Sequence, residues 1–284
     1  MGDVLHAMPA VAALRELHPD WVIGWAIEPV WRELLQAESE FHDVAWRLSG
    51  RDSRRPLVDK WSWVPTRNWK RRPFSLNTLR DIRALRRELL GDRYDLCVDL
   101  QGSIRSAMVG RMAGAARFVG AAAPREAPAA WFYKRKFRLS ATHVVEQGCE
   151  LLGSAVGETL RPAKVTLPVD PAAEQWCDAS LAGVAERFAL IAPTAGWGAK
   201  RWPTERYGAV AAALERPVVG LFGPTDPARN GPYGTQSRVL RHGSSRVDHS
   251  RHLETEEGLM QITTDEVVEA ALELLRAGRD KVNL

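Results

Sequence analysis

The first candidate for chemistry is the carboxylate of Asp3, which follows Gly2 at the start of a helical pattern. An aspartate in this position commonly caps the helix, a role worth about 1 kcal/mol. Alternatively, Gly2 lets a ligand approach the backbone at the helix N-terminus, a place that favours anions. The carboxylate of Asp3 would then act as a general base beside that ligand. The two residues alone are compatible with both roles, so both interpretations stay open at this point.

A second candidate is the glycine-bearing loop 194–200, between a predicted strand at 188–192 and a predicted helix at 203–214. Its backbone N–H groups and Lys200 could hold phosphate oxygens. The loop lacks the spacing of a Walker A or dinucleotide-binding motif. Because any loop between a strand and a helix favours glycine, a plain connection remains an equal alternative.

Two other strand ends carry polar or turn-forming residues. Gly223 begins a Gly-Pro-Thr-Asp-Pro segment after the predicted strand 218–222, and Gln101 lies in an Asp-Leu-Gln-Gly segment where the predicted strand 94–100 ends. Open α/β sheets bind ligands at the carboxyl ends of their strands, although such residues also form ordinary turns. Three such ends, distributed over two halves of the chain, predict a cleft between the halves.

A basic, tryptophan-rich segment lies at 51–72. It holds eight Lys and Arg and two Asp, interleaved with Trp61, Trp63 and Trp69, and a smaller basic cluster follows at 134–138. Such runs are often no more than a solvated face. The mixture of cations and aromatic rings also suits an anionic, amphipathic partner, such as phospholipid headgroups, a phosphorylated glycolipid or single-stranded nucleic acid.

Histidine and cysteine residues do not form a recognisable catalytic or metal-binding set. The seven histidines show no HExxH spacing and no Ser-His-Asp or GxSxG arrangement, and the three cysteines form no CxxC pair. We therefore expect metal-free chemistry. An odd number of distant cysteines also favours a reducing cytosol.

The composition excludes several classes of protein. At about 150 residues per domain, 284 residues predict two domains. Hydrophobic residues make up 45% and charged residues 26%, which are globular proportions. No apolar run approaches the length of about 18 residues that a membrane span requires. The net charge of +4 is basic but far below that of a dedicated nucleic-acid binder.

Helical and strand patterns alternate along the chain, which predicts an α/β fold with parallel strands. In the first half, the predicted elements are a helix at 4–17, a strand at 22–27, a helix at 79–90, a strand at 94–100 and a helix at 103–113. Near the end, Thr263 and Glu266 have the spacing of a capping box before a further helix. We predict an N-terminal domain at 1–152, a linker at 153–168 and a C-terminal domain at 169–284.

Several motifs occur in one characteristic order over nearly the whole chain. They are Met1-Gly2-Asp3 at the start, Arg67-Asn68-Trp69-Lys70-Arg71, the YD…DxQG stretch at 94–103, the segment at 124–133 with Pro-Arg-Glu and Phe-Tyr, Lys200-Arg201-Trp202-Pro203, and the segment at 217–227. In this order they resemble the bacterial lipopolysaccharide heptosyltransferases of glycosyltransferase family nine, and in particular the members that add the first heptose. The resemblance implies the GT-B fold, in which two Rossmann-like doubly wound domains face a cleft.

The resemblance also implies roles for the matching residues. Asp3 falls on the proposed catalytic base of the family. The expected acceptor-binding residues are Arg67, Lys70, Arg71, Gln101 and Arg125. The expected donor-binding residues are Gly2, Thr194, Lys200 and Gly223. The implied reaction is an inverting sugar transfer that uses no metal ion and no cofactor.

The implied partners are ADP-heptose as the donor and a Kdo-lipid A type acceptor. The implied location is the cytoplasmic face of the inner membrane of a Gram-negative bacterium, with peripheral attachment and no nucleic acid bound. Three alternatives remain at this point: a family-nine transferase for a later heptose or another sugar, a GT-B sugar-nucleotide epimerase, and a non-catalytic protein that binds anionic glycolipid.

The chain departs from the family pattern in three places. Asn68 replaces a basic residue, and the hydrophobic strand that precedes the Met-Gly-Asp loop in family members is missing. A stretch of roughly 60 residues, or two βαβ units, is also missing near 211–217. We expect the sequence to omit parts of the natural polypeptide. The backbone should then show a Cα separation well above the 3.8 Å of a bonded pair within 210–217.

Overall fold

The computed structural model describes residues 2–37, 51–182, 218–234, 236–248 and 255–280. The chain divides into two compact units, Met1–Ser180 and Leu181–Leu284. Both units combine helices with parallel strand pairs, which confirms the predicted α/β class. Several predictions lie outside the described residues: the strand at 188–192, the helix at 203–214, the chain break at 210–217, and the positions of Thr194 and Lys200.

The elements from the start of the chain to residue 181 are given in chain order. They are α1 (Gly2–Leu17), β1 (Gly24–Ile27), a 3-10 helix (Pro29–Leu34), β2 (Lys60–Trp63), α2 (Thr66–Arg71), α3 (Leu76–Gly91), β3 (Leu96–Asp99), α4 (Ile104–Met112), β4 (Arg117–Ala121), a second 3-10 helix (Ala127–Trp131), β5 (Arg135–Phe137), α5 (Val144–Val156) and α6 (Pro171–Leu181). The alternation of helices with short strands is the predicted pattern.

Among the described residues of the first unit there are two parallel sheets. β1 pairs with β2, and β3, β4 and β5 form a three-stranded sheet in that order. In the latter, Val98 lies opposite Val119, and Val119 lies opposite Arg135. Because all pairs are parallel, the carboxyl ends of neighbouring strands meet at one edge, where open α/β sheets place their ligands.

Helix α1 confirms the helix predicted at 4–17 and begins two residues earlier. Its apolar side chains recur every three or four residues, so that Met8, Val11 and Leu14 are buried in the core. The helix packs against α5. A Cβ atom at Gly148 of α5 would lie 3.5 Å from the Cβ of Ala10, so the two backbones approach closely there. This packing fixes the start of α1 relative to the sheet.

Sequence patterns found some of the helices and strands and missed others, including the 13-residue helix α5. The structure confirms helices near 79–90 and 103–113 and strands within 22–27, 94–100 and 218–222. The described elements that were not predicted are both 3-10 helices, β2, α2, β4, β5, α5, α6, α7, β7 and α8. The strands among them span three to five residues. Such lengths are too short for a periodic pattern, and pairing with a neighbouring strand stabilises them instead.

The segment after α5 remains attached to the first unit. Helix α5 extends to Val156, inside the predicted linker at 153–168, and the boundary between the two units follows Ser180. Ala163 and Val165 pack against the core that contains Met8, and the Val169 N–H donates a hydrogen bond to the carbonyl oxygen of Ser53. These contacts explain why the unit boundary lies beyond the glycine- and proline-rich segment.

The second unit contains β6 (Val218–Leu221), α7 (Pro227–Asn230), β7 (Ser237–Leu240), α8 (Glu257–Gln261) and α9 (Thr264–Asp280). β6 and β7 pair in parallel, and Val219, Leu259 and Val267 form part of its core. The predicted capping box is confirmed, since Glu266 accepts from the Thr263 N–H at 2.7 Å and donates its own N–H to the Thr263 hydroxyl at 3.3 Å. Within the described ranges, no helix is both long and apolar enough to span a membrane.

Candidate active site

Asp3 meets two other predicted site residues at the start of α1. Its Oδ2 accepts a hydrogen bond from Gln101 Nε2 at 2.9 Å and forms an ion pair with Arg125 Nη1 at 3.1 Å. Helix α1 already includes Gly2, so Asp3 lies within the first turn rather than before it. The simple capping interpretation of Asp3 is therefore wrong, because helical residues follow and precede it and its carboxylate contacts distant side chains instead.

The geometry around Asp3 suits a general base. Both contacts are made to Oδ2, and the Asp3 side chain is 52% exposed, so a substrate hydroxyl can approach the carboxylate. The ion pair is itself exposed and contributes at most about 1 kcal/mol, so an anionic substrate can displace Arg125 from Asp3 at little cost.

The turn that carries Gln101 is held by the buried carboxylate of Asp99, at the end of β3. Asp99 Oδ1 accepts the N–H groups of Gln101 at 3.0 Å and Gly102 at 3.1 Å. Its Oδ2 accepts the hydroxyl groups of Ser106 at 2.9 Å and Tyr133 at 2.8 Å. Four donors from three parts of the chain thus converge on one carboxylate that is 7% exposed. Asp99 fixes the backbone from which Gln101 reaches Asp3.

Gly102 links this turn to the segment that carries Arg125. Its φ of +67° lies in the left-handed region, which glycine adopts without strain. A Cβ atom there would lie 3.0 Å from the backbone nitrogen of Arg125 and 3.1 Å from Pro124 Cβ. The carbonyl oxygen of Gly102 accepts the Glu126 N–H at 2.9 Å. Since the two backbones touch at Gly102, the positions of Gln101 and Arg125 are coupled.

Alkaline solution is expected to destabilise the first unit through Tyr133. Burial, followed by the charge and hydrogen bond of Asp99, raises the pKa of the Tyr133 hydroxyl above the ordinary tyrosine value of about 10. Between the ordinary and the raised pKa, the unfolded chain releases this proton and the folded protein retains it. The free energy of unfolding should therefore fall as the pH rises through that window.

Urea denaturation from about pH 8 to about pH 11 measures this effect. Tyr133→Phe should show a shallower fall than the parent protein, since it has no hydroxyl at that position to titrate. Tyr94, whose pKa is raised in the same direction, is present in both proteins and cancels in the comparison. Equal slopes for the two proteins would contradict the prediction.

The basic segment predicted as an acceptor loop is the short helix α2. Arg67, Lys70 and Arg71 are all exposed on it. The start of the helix is anchored by Glu28, whose Oε1 accepts the Arg67 N–H at 3.1 Å and also the hydroxyl of Thr66. The Arg67 guanidinium lies over the ring of Trp31, 5.7 Å from its centre. The helix belongs to the same compact unit as Asp3.

A contact from α4 connects this basic helix to the Asp99 turn. Arg105 Nη1 donates to Thr66 Oγ1 at 3.3 Å, and Arg105 lies in the first turn of α4, directly after the turn at 99–102. The N-terminus of the same helix is capped by Ser103, and its Ile104 N–H donates to Glu126 Oε2 at 2.8 Å. α4 thus contacts all three segments that carry the predicted acceptor residues.

The predicted donor residues are spread over both units. Gly2 is exposed, and a Cβ atom there would meet only His6, at 4.0 Å. Gly223 follows β6 in the second unit, where a Cβ atom would lie 3.0 Å from Glu256 Oε2 and 3.2 Å from Leu259 Cβ. Glycine at position 223 therefore allows the strand end to pack closely on α8. Its predicted role in donor binding stays a prediction.

Sequence reasoning missed the residues that support the site. Asp99 and Tyr133 belong to two of the motifs that carry the family resemblance, but no role was predicted for either residue. Glu28 and Arg105 belong to no motif, so nothing in the sequence marked them. Among the residues that the structure describes, no group of three His, Cys, Asp or Glu side chains is arranged to hold a metal ion.

Comparisons with known proteins identify the family of this chain. The model of glycosyltransferase family 9 (heptosyltransferase) matches residues 82–211 and 208–260. Lipopolysaccharide heptosyltransferase 1 of Salmonella typhimurium strain LT2 is 25% identical over 265 residues, which cover 90% of this chain and 74% of that protein.

Two solved structures of Escherichia coli heptosyltransferase WaaC have a similar fold. The structure with ADP has a TM-score of 0.67 at 21% identity, and the structure with ADP-2-deoxy-2-fluoro heptose has a TM-score of 0.65 at 21% identity. In both cases 96% of this chain and 96% of the other chain are covered. The likeness confirms the predicted GT-B type of fold.

Proposed function

Because the chain belongs to glycosyltransferase family 9, the heptosyltransferases, we propose that it transfers heptose from ADP-heptose to a Kdo hydroxyl of a lipid A-anchored acceptor. The transfer is a single displacement that inverts the anomeric carbon. The observation that carries this proposal is the convergence of Gln101 and Arg125 on the accessible carboxylate of Asp3. The similarity to a lipopolysaccharide heptosyltransferase supports the substrate class.

In the proposed reaction Asp3 is the general base. Its Oδ1 takes the proton of the acceptor hydroxyl as the hydroxyl oxygen forms a bond to the anomeric carbon of the heptose. The bond from that carbon to the diphosphate oxygen breaks, and ADP leaves with the electron pair. Gln101 holds the other carboxylate oxygen in place, so that Oδ1 keeps one orientation towards the acceptor.

The acceptor is held by cationic side chains of the first unit. Arg67, Lys70 and Arg71 on α2, together with Arg125, bind its carboxylates and phosphates, for which the forked guanidinium is well suited. When the guanidinium of Arg125 moves to the acceptor carboxylate, it leaves the Asp3 carboxylate open to the acceptor hydroxyl.

The donor is bound by the glycine-bearing segments. Gly2 allows the nucleotide sugar to approach the start of α1, and Thr194, Lys200 and Gly223 complete the donor set, with Lys200 balancing the charge of the departing diphosphate. A similar structure contains an ADP-heptose analogue, which supports a nucleotide-sugar donor.

The proposed reaction needs no metal ion or cofactor. A lipid-anchored acceptor places the protein peripherally on the cytoplasmic face of the inner membrane.

Replacing Arg67, Lys70 or Arg71 by alanine is expected to raise the KM for the acceptor by about tenfold or more, because each removes a charged hydrogen bond to it. The KM for ADP-heptose should hardly change. Steady-state kinetics with each substrate varied in turn provide the measurement. Arg161→Ala is a suitable control, since Arg161 is also exposed but lies outside the basic helix. A change confined to the KM for the donor would contradict the prediction, because it would show that α2 binds the donor and not the acceptor.

The decisive experiment is the release of ADP from ADP-heptose with and without Kdo-lipid A. The proposed function requires release that depends on the acceptor and a glycosylated lipid as the second product. Release only with a different acceptor would favour another transferase of the family. Conversion of the sugar nucleotide without ADP release would favour an epimerase, and acceptor binding without any turnover would favour a glycolipid-binding protein.

A further inference from the structure

The turn between α2 and α3 exposes two large apolar side chains. Phe74 is 94% exposed and Leu76 is 75% exposed, and Phe74 is the most exposed of the large hydrophobic residues in the described ranges. Single exposed apolar residues are common on protein surfaces. Two neighbouring side chains that lie almost entirely in solvent form an apolar projection, and such features often mark contact sites.

The exposure of Phe74 is built into the structure of the turn. Ser75 caps α3 by accepting the Thr78 N–H at 3.1 Å, and its own N–H donates to the carbonyl oxygen of Arg72 at 3.2 Å. The buried hydroxyl of Thr78 donates to the same carbonyl at 2.8 Å. On the inner side, Trp69 packs against the core cluster that contains Val64 and Leu85. The turn is therefore held in a conformation that points Phe74 outwards.

Cations surround this apolar projection. Arg72 precedes Phe74, and Leu76, Arg80 and Arg83 are spaced four and three residues apart, so they share one face of α3. All three arginines are exposed, and no ion pair with another described residue engages them. Exposed apolar side chains flanked by positively charged side chains are typical of surfaces that bind anionic membrane interfaces.

We propose that residues 72–83 form a membrane-docking surface that inserts Phe74 and Leu76 among the headgroups of an anionic bilayer, with Arg72, Arg80 and Arg83 on the lipid phosphates. Of the two side chains only Phe74 offers a ring for base stacking, whereas both can enter a bilayer interface, which favours the membrane over single-stranded nucleic acid. Because no ion pair with another described residue neutralises these arginines, charge repulsion disfavours a second copy of this basic chain as the binding partner. The proposal rests on the proposed function in one respect: α2, with the acceptor-binding Arg71, adjoins this surface, as a lipid-anchored acceptor requires.

The test is binding of the full chain to phosphatidylglycerol vesicles, measured by co-sedimentation, with phosphatidylcholine vesicles for comparison. The parent protein should bind the anionic vesicles preferentially and release them as the salt concentration rises. The double variant Phe74→Ala with Leu76→Ala should lower the partition coefficient by about tenfold or more, since two apolar side chains no longer enter the interface. Both positions are exposed, so the unfolding midpoint should not change.

A matched control is Trp176→Ala in α6. Trp176 is 72% exposed, but its helix neighbours Glu174 and Asp178 are acidic, so its removal should leave vesicle binding unchanged. Equal binding by the parent and the double variant would overturn the proposal, as would binding that does not distinguish anionic from neutral vesicles. Self-association of the parent that the double variant abolishes, without vesicle binding, would instead identify a contact between copies.

The outcome can be separated from that of the proposed function. With a water-soluble acceptor fragment, the double variant should release ADP at the parental rate, because neither residue touches a substrate in the proposed mechanism. If the parent shows no acceptor-dependent ADP release but binds anionic vesicles through Phe74 and Leu76, the transferase assignment fails and the docking surface stands. If it releases ADP and the double variant binds vesicles normally, only the docking proposal fails.

Discussion

Asp3→Asn is expected to depress turnover by about 100-fold or more, because the acceptor hydroxyl would lose the base that receives its proton. The amide retains the size of the carboxylate and can still contact Gln101, so the fold of the site should persist. Binding of ADP-heptose should be nearly unchanged, since the lost step involves the acceptor. Single-turnover kinetics with saturating donor and acceptor measure the chemical step directly.

The matched control for this variant is Asp20→Asn, which removes one negative charge from another exposed aspartate of the first unit. Its turnover should equal that of the parent protein. Near-parental turnover of Asp3→Asn would show that the contacts of Gln101 and Arg125 with Asp3 serve structure rather than proton transfer.

Asp99→Ala is expected to lower the free energy of unfolding of the first unit by about 3 kcal/mol or more. The carboxylate accepts four hydrogen bonds, from the N–H groups of Gln101 and Gly102 and the hydroxyls of Ser106 and Tyr133. Its removal leaves those donors without their acceptor in a buried place. Urea denaturation followed by tryptophan fluorescence provides the measurement.

Tyr133→Phe is the reference for this prediction, because it removes only one of the four donors and leaves the carboxylate in place. It should cost about 1 kcal/mol at neutral pH. If Asp99→Ala destabilised the protein no more than Tyr133→Phe, the network would not stabilise the turn. Under conditions where Asp99→Ala remains folded, its turnover should still fall, since the turn that directs Gln101 to Asp3 is loosened.

Part of the first unit could be predicted from the sequence because some of its elements, such as α1 and α3, have clear local patterns. The apolar spacing that buries Met8, Val11 and Leu14 identifies α1 without reference to any other segment. The polar and glycine residues that follow β3 likewise mark a strand end. Basic residues near 67–71 could be recognised, but not their helical form, since a run of one and a half turns carries no readable period.

The sequence by itself marked Asp3 and the strand end that carries Gln101, because residue type and local spacing are properties of the chain, whereas Arg125 was singled out only by the family resemblance. Only the tertiary structure decided that these three meet, since Gln101 and Arg125 lie 98 and 122 positions away from Asp3 along the chain. Their contact depends on parallel strands whose carboxyl ends share one edge, and on the close approach at Gly102. The tertiary structure also decided the role of Asp99, whose four partners come from three separate segments. Long-range packing sets the distances between side chains that are far apart along the chain, and no local sequence pattern predicts those distances.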